Sequence, residues 1–217
     1  MKRTLFAATL ISLVLAFALA SWWHRDQRAE RLGFMAQEQA ELFVRPHSPV
    51  TGAEDARVYL VEFTDPACET CASFSPFVKH FLDQYEGQLR LVVRWAPFHE
   101  GSADVVRVLE AARLQGRFWE TLDLLYRTQR MWTQHHRVYV DRLWPLLPQV
   151  GLDVERLRGD LYNPEITAII EQDLADAQAL GVQKTPGFFV NGRPLEPFGL
   201  DPLAQLIATE VGESYPQ

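Results

Sequence analysis

Two runs rich in β-branched and aromatic residues, Arg57 to Phe63 (RVYLVEF) and Leu89 to Trp95 (LRLVVRW), flank a single helix-length segment. Runs of this length and composition, bounded by turn residues, read as strands covered on both faces. A helix joining two neighbouring strands brings them parallel through a right-handed crossover, so the segment folds as a βαβ unit. Asp65-Pro66-Ala67 closes the first strand, and the helix is expected from Cys68 to about Tyr85. The chain has two cysteines, Cys68 and Cys71, and both stand in the first turn of that helix.

The remainder of the pattern is α/β. From Leu42 to Val50 a short extended piece containing Pro46 and Pro49 precedes the turn-forming residues Thr51 to Asp55. Residues from about Ser102 to Leu180 are predicted helical throughout. Val105, Val106, Leu109 and Ala112 fall on one apolar stripe, and Phe118, Leu122, Leu125 and Tyr126 on another. Asn163-Pro164 places an N-cap ahead of a proline at the first helical position, opening a helix with Ile166, Ile169, Ile170 and Leu174 on its apolar side. Thr185-Pro186 leads into a strand over Gly187 to Val190, and Asn191-Gly192 is a strong hairpin signal. A last amphipathic helix is predicted from Asp201 to about Val211. The order is βαβ, an all-helical insert at about 102–180, a ββ hairpin and a helix.

Lys2 and Arg3 precede an apolar run from Leu5 to Ala20, followed by Trp22-Trp23, so residues 1–23 direct export with the N-terminus left inside. Two outcomes stay open. Ala18-Leu19-Ala20 is a small-x-small cleavage pattern that would release a soluble domain after Ala20. The stretch from Thr4 to Trp23 is also about as long as the ~20 residues that span a bilayer, which favours an uncleaved anchor. Residues 24–45 would then form a helical stalk, and residues 46–217 the folded domain, placed in an oxidising, periplasmic compartment. A formal net charge of −7 argues against nucleic-acid binding, which needs a basic face.

A Cys-x-x-Cys at the start of a helix has a specific use. Unpaired N–H groups and the helix dipole favour an anion there, so the first thiol ionises more readily and becomes the nucleophile. The second, one turn on, is within disulfide reach and resolves the mixed disulfide. Cys68 takes the first role and Cys71 the second. A zinc site would need further ligands at suitable spacing, and His80, His99, His135 and His136 do not supply it. A purely structural disulfide closing so small a ring would constrain the unfolded chain only weakly.

The stretch Val61-Glu62-Phe63-Thr64-Asp65-Pro66-Ala67-Cys68-Glu69-Thr70-Cys71 resembles the active-site strand and turn of the DsbA-like branch of the thioredoxin superfamily. Pro76 matches the proline inside thioredoxin-like active-site helices, Thr185-Pro186 resembles the cis-proline loop, and the long helical stretch between Cys71 and Pro186 resembles the DsbA-like insert. The resemblance implies a thioredoxin fold with an inserted all-helical subdomain, and thiol–disulfide exchange with no cofactor beyond the redox-active Cys68–Cys71 disulfide. It implies a cis Pro186, and a Thr185 backbone free to pair with a substrate strand. It also implies a buried Glu62 that takes or relays the Cys71 proton. His99 is expected to be structural.

Partners implied are exported proteins bearing thiols or disulfides and a membrane redox partner that recycles the dithiol, with the chain a monomer. The motif departs from the strong oxidases, which carry a histidine between the cysteines where this chain has Glu69-Thr70. A carboxylate there opposes the thiolate, so the Cys68 pKa is expected above the ~3.5 of a strong oxidase and toward the ~7 of thioredoxin. The net direction therefore stays open between oxidase and reductant or isomerase. A non-enzymatic peptide-binding or chaperone module is a further alternative.

Overall fold

Strand pairing centres on β2 (Val58–Thr64), which runs parallel to β3 (Leu89–Trp95) and antiparallel to β6 (Gly187–Val190). In the computed structural model, which describes residues 40–135 and 137–216 together with Val14, Phe17 and Leu19, a mixed sheet forms. Its order is β1-β3-β2-β6-β7, with β1 (Val50–Gly52) and β7 (Arg193–Pro194) at the edges, both antiparallel to their neighbours. Apart from those three isolated positions, the leader at 1–23 lies outside the described residues, as does most of the stalk at 24–45. Among the described residues no helix is long and apolar enough to cross a membrane.

Alternation along the strands divides the core. Val58 and Leu60 of β2, Leu89, Leu91, Val93 and Trp95 of β3, and Phe188 and Val190 of β6 belong to the larger cluster. They pack against α1 (Glu69–Gln84), α2 (Ser102–Arg113), α3 (Phe118–Arg127) and α7 (Leu200–Ser214). Val61, Phe63, Val92 and Phe189 face the other way, onto Phe43 and the end of α6 (Pro164–Ala179). Each large side chain fully withdrawn from water contributes about 1.5–3 kcal/mol.

The second face also holds a buried ion cluster. Arg94 of β3, fully buried, donates to Asp173 and Asp176 of α6 and to the carbonyl of Leu42 at 2.8 Å. Arg45 makes a two-pronged bond to Asp176 at 2.9 Å, and His47 pairs with Asp173. The segment around Leu42 to His47 is thereby tied across the sheet. Removing one partner of such a buried pair costs about 3–5 kcal/mol, because the other charge is stranded.

Two expectations need correction. The stretch from Ser102 to Leu180 is not helical throughout. After α4 (Gln129–Trp132) comes a small hairpin of β4 (Thr133–Gln134) and β5 (Arg137–Val138), then two short 3-10 turns at Val140–Arg142 and Leu147–Val150 before α5 (Val154–Asp160). Leu143, Leu146 and Leu147 have helical spacing and are buried, but Pro145 and Pro148 lack the N–H that a helix interior requires. Thr51 and Gly52, read as part of a turn, instead form β1 beside β3. Gly52 has φ 108°, and a Cβ there would lie 2.7 Å from the carbonyl oxygen of Leu89, so glycine is needed.

Candidate active site

The chain turns from β2 into α1 through Asp65-Pro66-Ala67, and the buried Asp65 builds that turn. Its Oδ1 accepts from the Ala67 N–H at 2.8 Å and from the Ser102 hydroxyl. Its Oδ2 accepts from the His99 backbone N–H at 2.9 Å and bonds His99 Nδ1 at 2.7 Å. Gln129 of α4 reaches in from the helical insert and donates one amide group to two carbonyls, Pro66 at 2.9 Å and Cys68 at 3.0 Å. The loop that carries the first cysteine is thus held from beneath and from the side.

Cys68 is the N-cap of α1, and no side chain caps the helix there, so its free N–H groups are available to the sulfur. Cys68 keeps 6 % exposure and Cys71 none, and both are free thiols. The Cys68 pKa is pulled down from 9.0 to about 5. A hydrogen bond from Cys71 contributes most; burial opposes it; Thr185 and the backbone N–H groups of Cys71 and Thr70 add to it. Burial, then the hydrogen bond to Cys68, push Cys71 well above its ordinary value. One sulfur is set to ionise and the other to stay protonated. Thr70 acts here through its backbone, while the exposed Glu69 is not among the leading influences on Cys68. A value of about 5 falls between a strong oxidase and thioredoxin.

The Thr185–Pro186 peptide is cis, as is Glu196–Pro197, which no sequence signal singled out. The loop carrying Thr185–Pro186, just ahead of β6, faces the dithiol. Cys68 Sγ lies 3.2 Å from the Thr185 carbonyl, which accepts from the thiol, whereas the Thr185 side chain stabilises the thiolate. A groove of about 490 Å³ runs alongside, lined by Thr70, Thr185, Pro186, Phe188, Leu195 and Phe198. Phe74 of α1 stacks on Phe188 and on the half-exposed Phe198 at 5.7 and 5.0 Å.

Glu62 stands on the dithiol side of β2. It is 5 % exposed, its Oε1 has no hydrogen-bond partner among the described residues, and burial pushes its pKa up to about 7. The negative charge of a Cys68 thiolate adds to that rise, and Glu62 in turn raises Cys71. Beside it the Tyr126 hydroxyl of α3 bonds Thr64 at 2.7 Å, and burial holds the tyrosine well above its usual pKa. Cys68, Cys71, Glu62, Thr185, Pro186 and the Thr70 backbone are therefore brought together, with Glu69 on the outer face. Gln129, Asp65 and Tyr126 were not anticipated, because nothing local marks an amide, an acid or a phenol that acts through a distant element.

Residues 45–208 match the sequence profile of the family described as Thioredoxin. A thioredoxin-like oxidoreductase from Silicibacter pomeroyi is 31% identical in sequence and superimposes with a TM-score of 0.69, over 82% of this chain and 99% of that one. BdbD from Bacillus subtilis, in its oxidised form, is 25% identical with a TM-score of 0.66, over 76% and 92% of the two chains. The thiol–disulfide exchange protein alpha-DsbA2 from Wolbachia pipientis, at 15% identity and a TM-score of 0.70 over 84% and 97%, shares the fold. Among curated proteins, the Na(+)/H(+) antiporter NhaA from Herminiimonas arsenicoxydans is 35% identical over 201 residues, 89% of this chain. The chain spans 31% of that relative's length, and an alignment so long includes most of the thioredoxin region. The antiporter name belongs to the larger protein. On profile and neighbours together, this chain belongs to the thioredoxin superfamily, and its fold, helical insertion included, is that of the DsbA-like thiol–disulfide oxidoreductases.

Proposed function

We propose that the chain exchanges disulfides with exported proteins through Cys68, and that it needs no cofactor beyond its own two sulfurs. The observation that carries this reading is the split between the cysteines. Cys68 is an N-cap sulfur held toward the thiolate, whereas Cys71 is buried and held protonated.

In the reducing direction the Cys68 thiolate attacks a substrate disulfide. A Cys68–substrate S–S bond forms and the other substrate sulfur leaves as a thiolate. Cys71 then gives its proton to Glu62 and attacks Cys68 Sγ. The Cys68–Cys71 bond forms, the second substrate sulfur leaves as a thiolate, and the substrate is reduced by two electrons as the protein is oxidised. The reverse sequence oxidises a substrate dithiol. An acid with a pKa of about 7 suits either direction near neutral pH. Thr185 offers backbone groups beside Cys68, and the groove past Pro186 and Phe198 receives the flanking residues of an extended substrate.

The basic-then-apolar segment at residues 1–23 supports a domain facing the periplasm, held at the membrane by that segment and recycled there by a membrane redox partner. Insulin reduction and oxidative refolding of a reduced secreted protein test the activity. Both should be catalysed by the wild type and lost in Cys68→Ser. Catalysis of neither would overturn the reading.

A further inference from the structure

A second cleft, of about 610 Å³, opens between α1 and α3 and shares no lining residue with the Pro186 groove. Its walls are apolar: Val78 and Leu82 of α1, Leu91 and Val93 of β3, Trp119 and Leu122 of α3. Its floor is polar, formed by Glu62, Thr64 and Tyr126. Thr64 bonds Tyr126, and its side chain also reaches the Glu62 carboxyl group and opposes the rise in its pKa; Glu62 Oε1, in a residue 95 % withdrawn from solvent, has no protein partner among the described residues. The rim is acidic. Asp83, Glu86, Glu120 and Asp123 stand there; Glu120 is paired with Arg117, and Asp123 with Lys79 and Arg127, so the negative surplus at the mouth rests on Asp83 and Glu86.

An apolar shaft with an acid at the bottom and acids around the mouth selects by both shape and charge. Its volume is within the range of small-molecule sites, which are mostly apolar with a few placed polar groups. Anions are opposed by the rim, and neutral apolar molecules leave Glu62 Oε1 without a donor. We propose that this cleft binds a small amphipathic cation, a primary alkyl- or arylammonium, with the apolar body against Leu82, Trp119 and Leu122 and the ammonium donating to the Glu62 carboxylate. The site is separate from the Pro186 groove and does not depend on the direction, or the occurrence, of disulfide exchange.

The probe is phenethylamine, with 2-phenylethanol as its neutral counterpart of similar shape. Binding to the isotope-labelled, reduced full-length chain is followed by NMR at about pH 8, where Glu62 is mostly charged. Saturable shifts at the Trp119 indole and the Leu82 and Leu122 amides are expected, with a dissociation constant on the order of 1 mM for so small a ligand. A charge-assisted hydrogen bond should favour the amine over the alcohol by about tenfold or more. In Glu62→Gln that preference should shrink to within about twofold. Leu82→Trp should fill the shaft and abolish binding while the melting curve shows that it folds; Trp119→Ala, which removes a wall, should weaken binding if Leu82→Trp does not fold. Equal binding of amine and alcohol, a preference that survives Glu62→Gln, shifts confined to the Thr185–Phe198 groove, or no saturable binding would each overturn the proposal.

Discussion

Cys68 Sγ and the Thr185 carbonyl oxygen lie 3.2 Å apart, although 117 positions separate them in the chain. That contact joins the two halves of the fold at its reactive point. The βαβ half supplies a sulfur at a helix N-terminus, and the ββα half closes over it with a loop that leaves 6 % of the cysteine exposed. A substrate sulfur must approach Cys68 past this loop, so the Thr185 backbone adjoins every productive encounter.

The division of labour between the sulfurs is tested by trapping. Cys71→Ser removes the resolving attack but keeps the nucleophile, so mixed disulfides through Cys68 should accumulate as high-mass adducts that collapse on reduction. Cys68→Ser should form none. Trapping by Cys68→Ser alone would reverse the assignment.

Glu62 makes stability depend on pH. Its folded pKa is raised from 4.5 to about 7, so the folded state prefers the protonated acid. The penalty is absent below about pH 4.5, grows as pH rises through this window, and is complete above about pH 7. Glu62→Gln should therefore stabilise the reduced protein by about 2 kcal/mol at pH 8 and by almost nothing at pH 4. Denaturant unfolding at the two pH values measures the difference; a gain of equal size at both would assign it to packing.

Gln129 should matter beyond its own helix. Gln129→Ala leaves the carbonyls of Pro66 and Cys68 without their buried donor, at a cost of about 2 kcal/mol and a Tm lower by about 4–8 °C. Gln129→Glu places an acceptor against two acceptors and should cost more. Thermal melts of both variants check the order, and exchange rates should fall with it as the loop loses its support.

Glu69 is a test of how far an exposed charge reaches. Replacing it with histidine should lower the Cys68 pKa and make the disulfide more oxidising, and Glu69→Gln should do so more weakly. Solvent screening limits the shifts to a few tenths of a pKa unit. Thiolate absorbance titration together with glutathione equilibration reads both quantities. A full-unit shift in Glu69→Gln would mean that the carboxylate, rather than the backbone N–H groups and Cys71, governs the sulfur.

Much of this frame is written locally. RVYLVEF and LRLVVRW carry their strand identity in composition, and Asn191-Gly192 carries its turn: Asn191 has φ 49° and links β6 to β7. Cys68 and Cys71 announce themselves by their spacing together with their place where a strand turns into a helix. What stayed hidden depends on distance. β1 is three residues long and exists because Val92 to Arg90 offer it a partner. The region from Trp132 to Val150 keeps helical apolar spacing while two prolines forbid the helix. Asp65, Gln129 and Tyr126 become site residues only once His99, the Cys68 loop and Thr64 are folded against them.

The most direct test of the account is the rate at which the reduced protein attacks a model disulfide peptide, followed from about pH 4 to pH 9 in wild type and in Cys68→Ser. The expected result is a rate that rises through a pKa near 5, the value set for Cys68, and then levels off, with no exchange in Cys68→Ser. A rate that begins to climb only near pH 9, or that survives in Cys68→Ser, would contradict it.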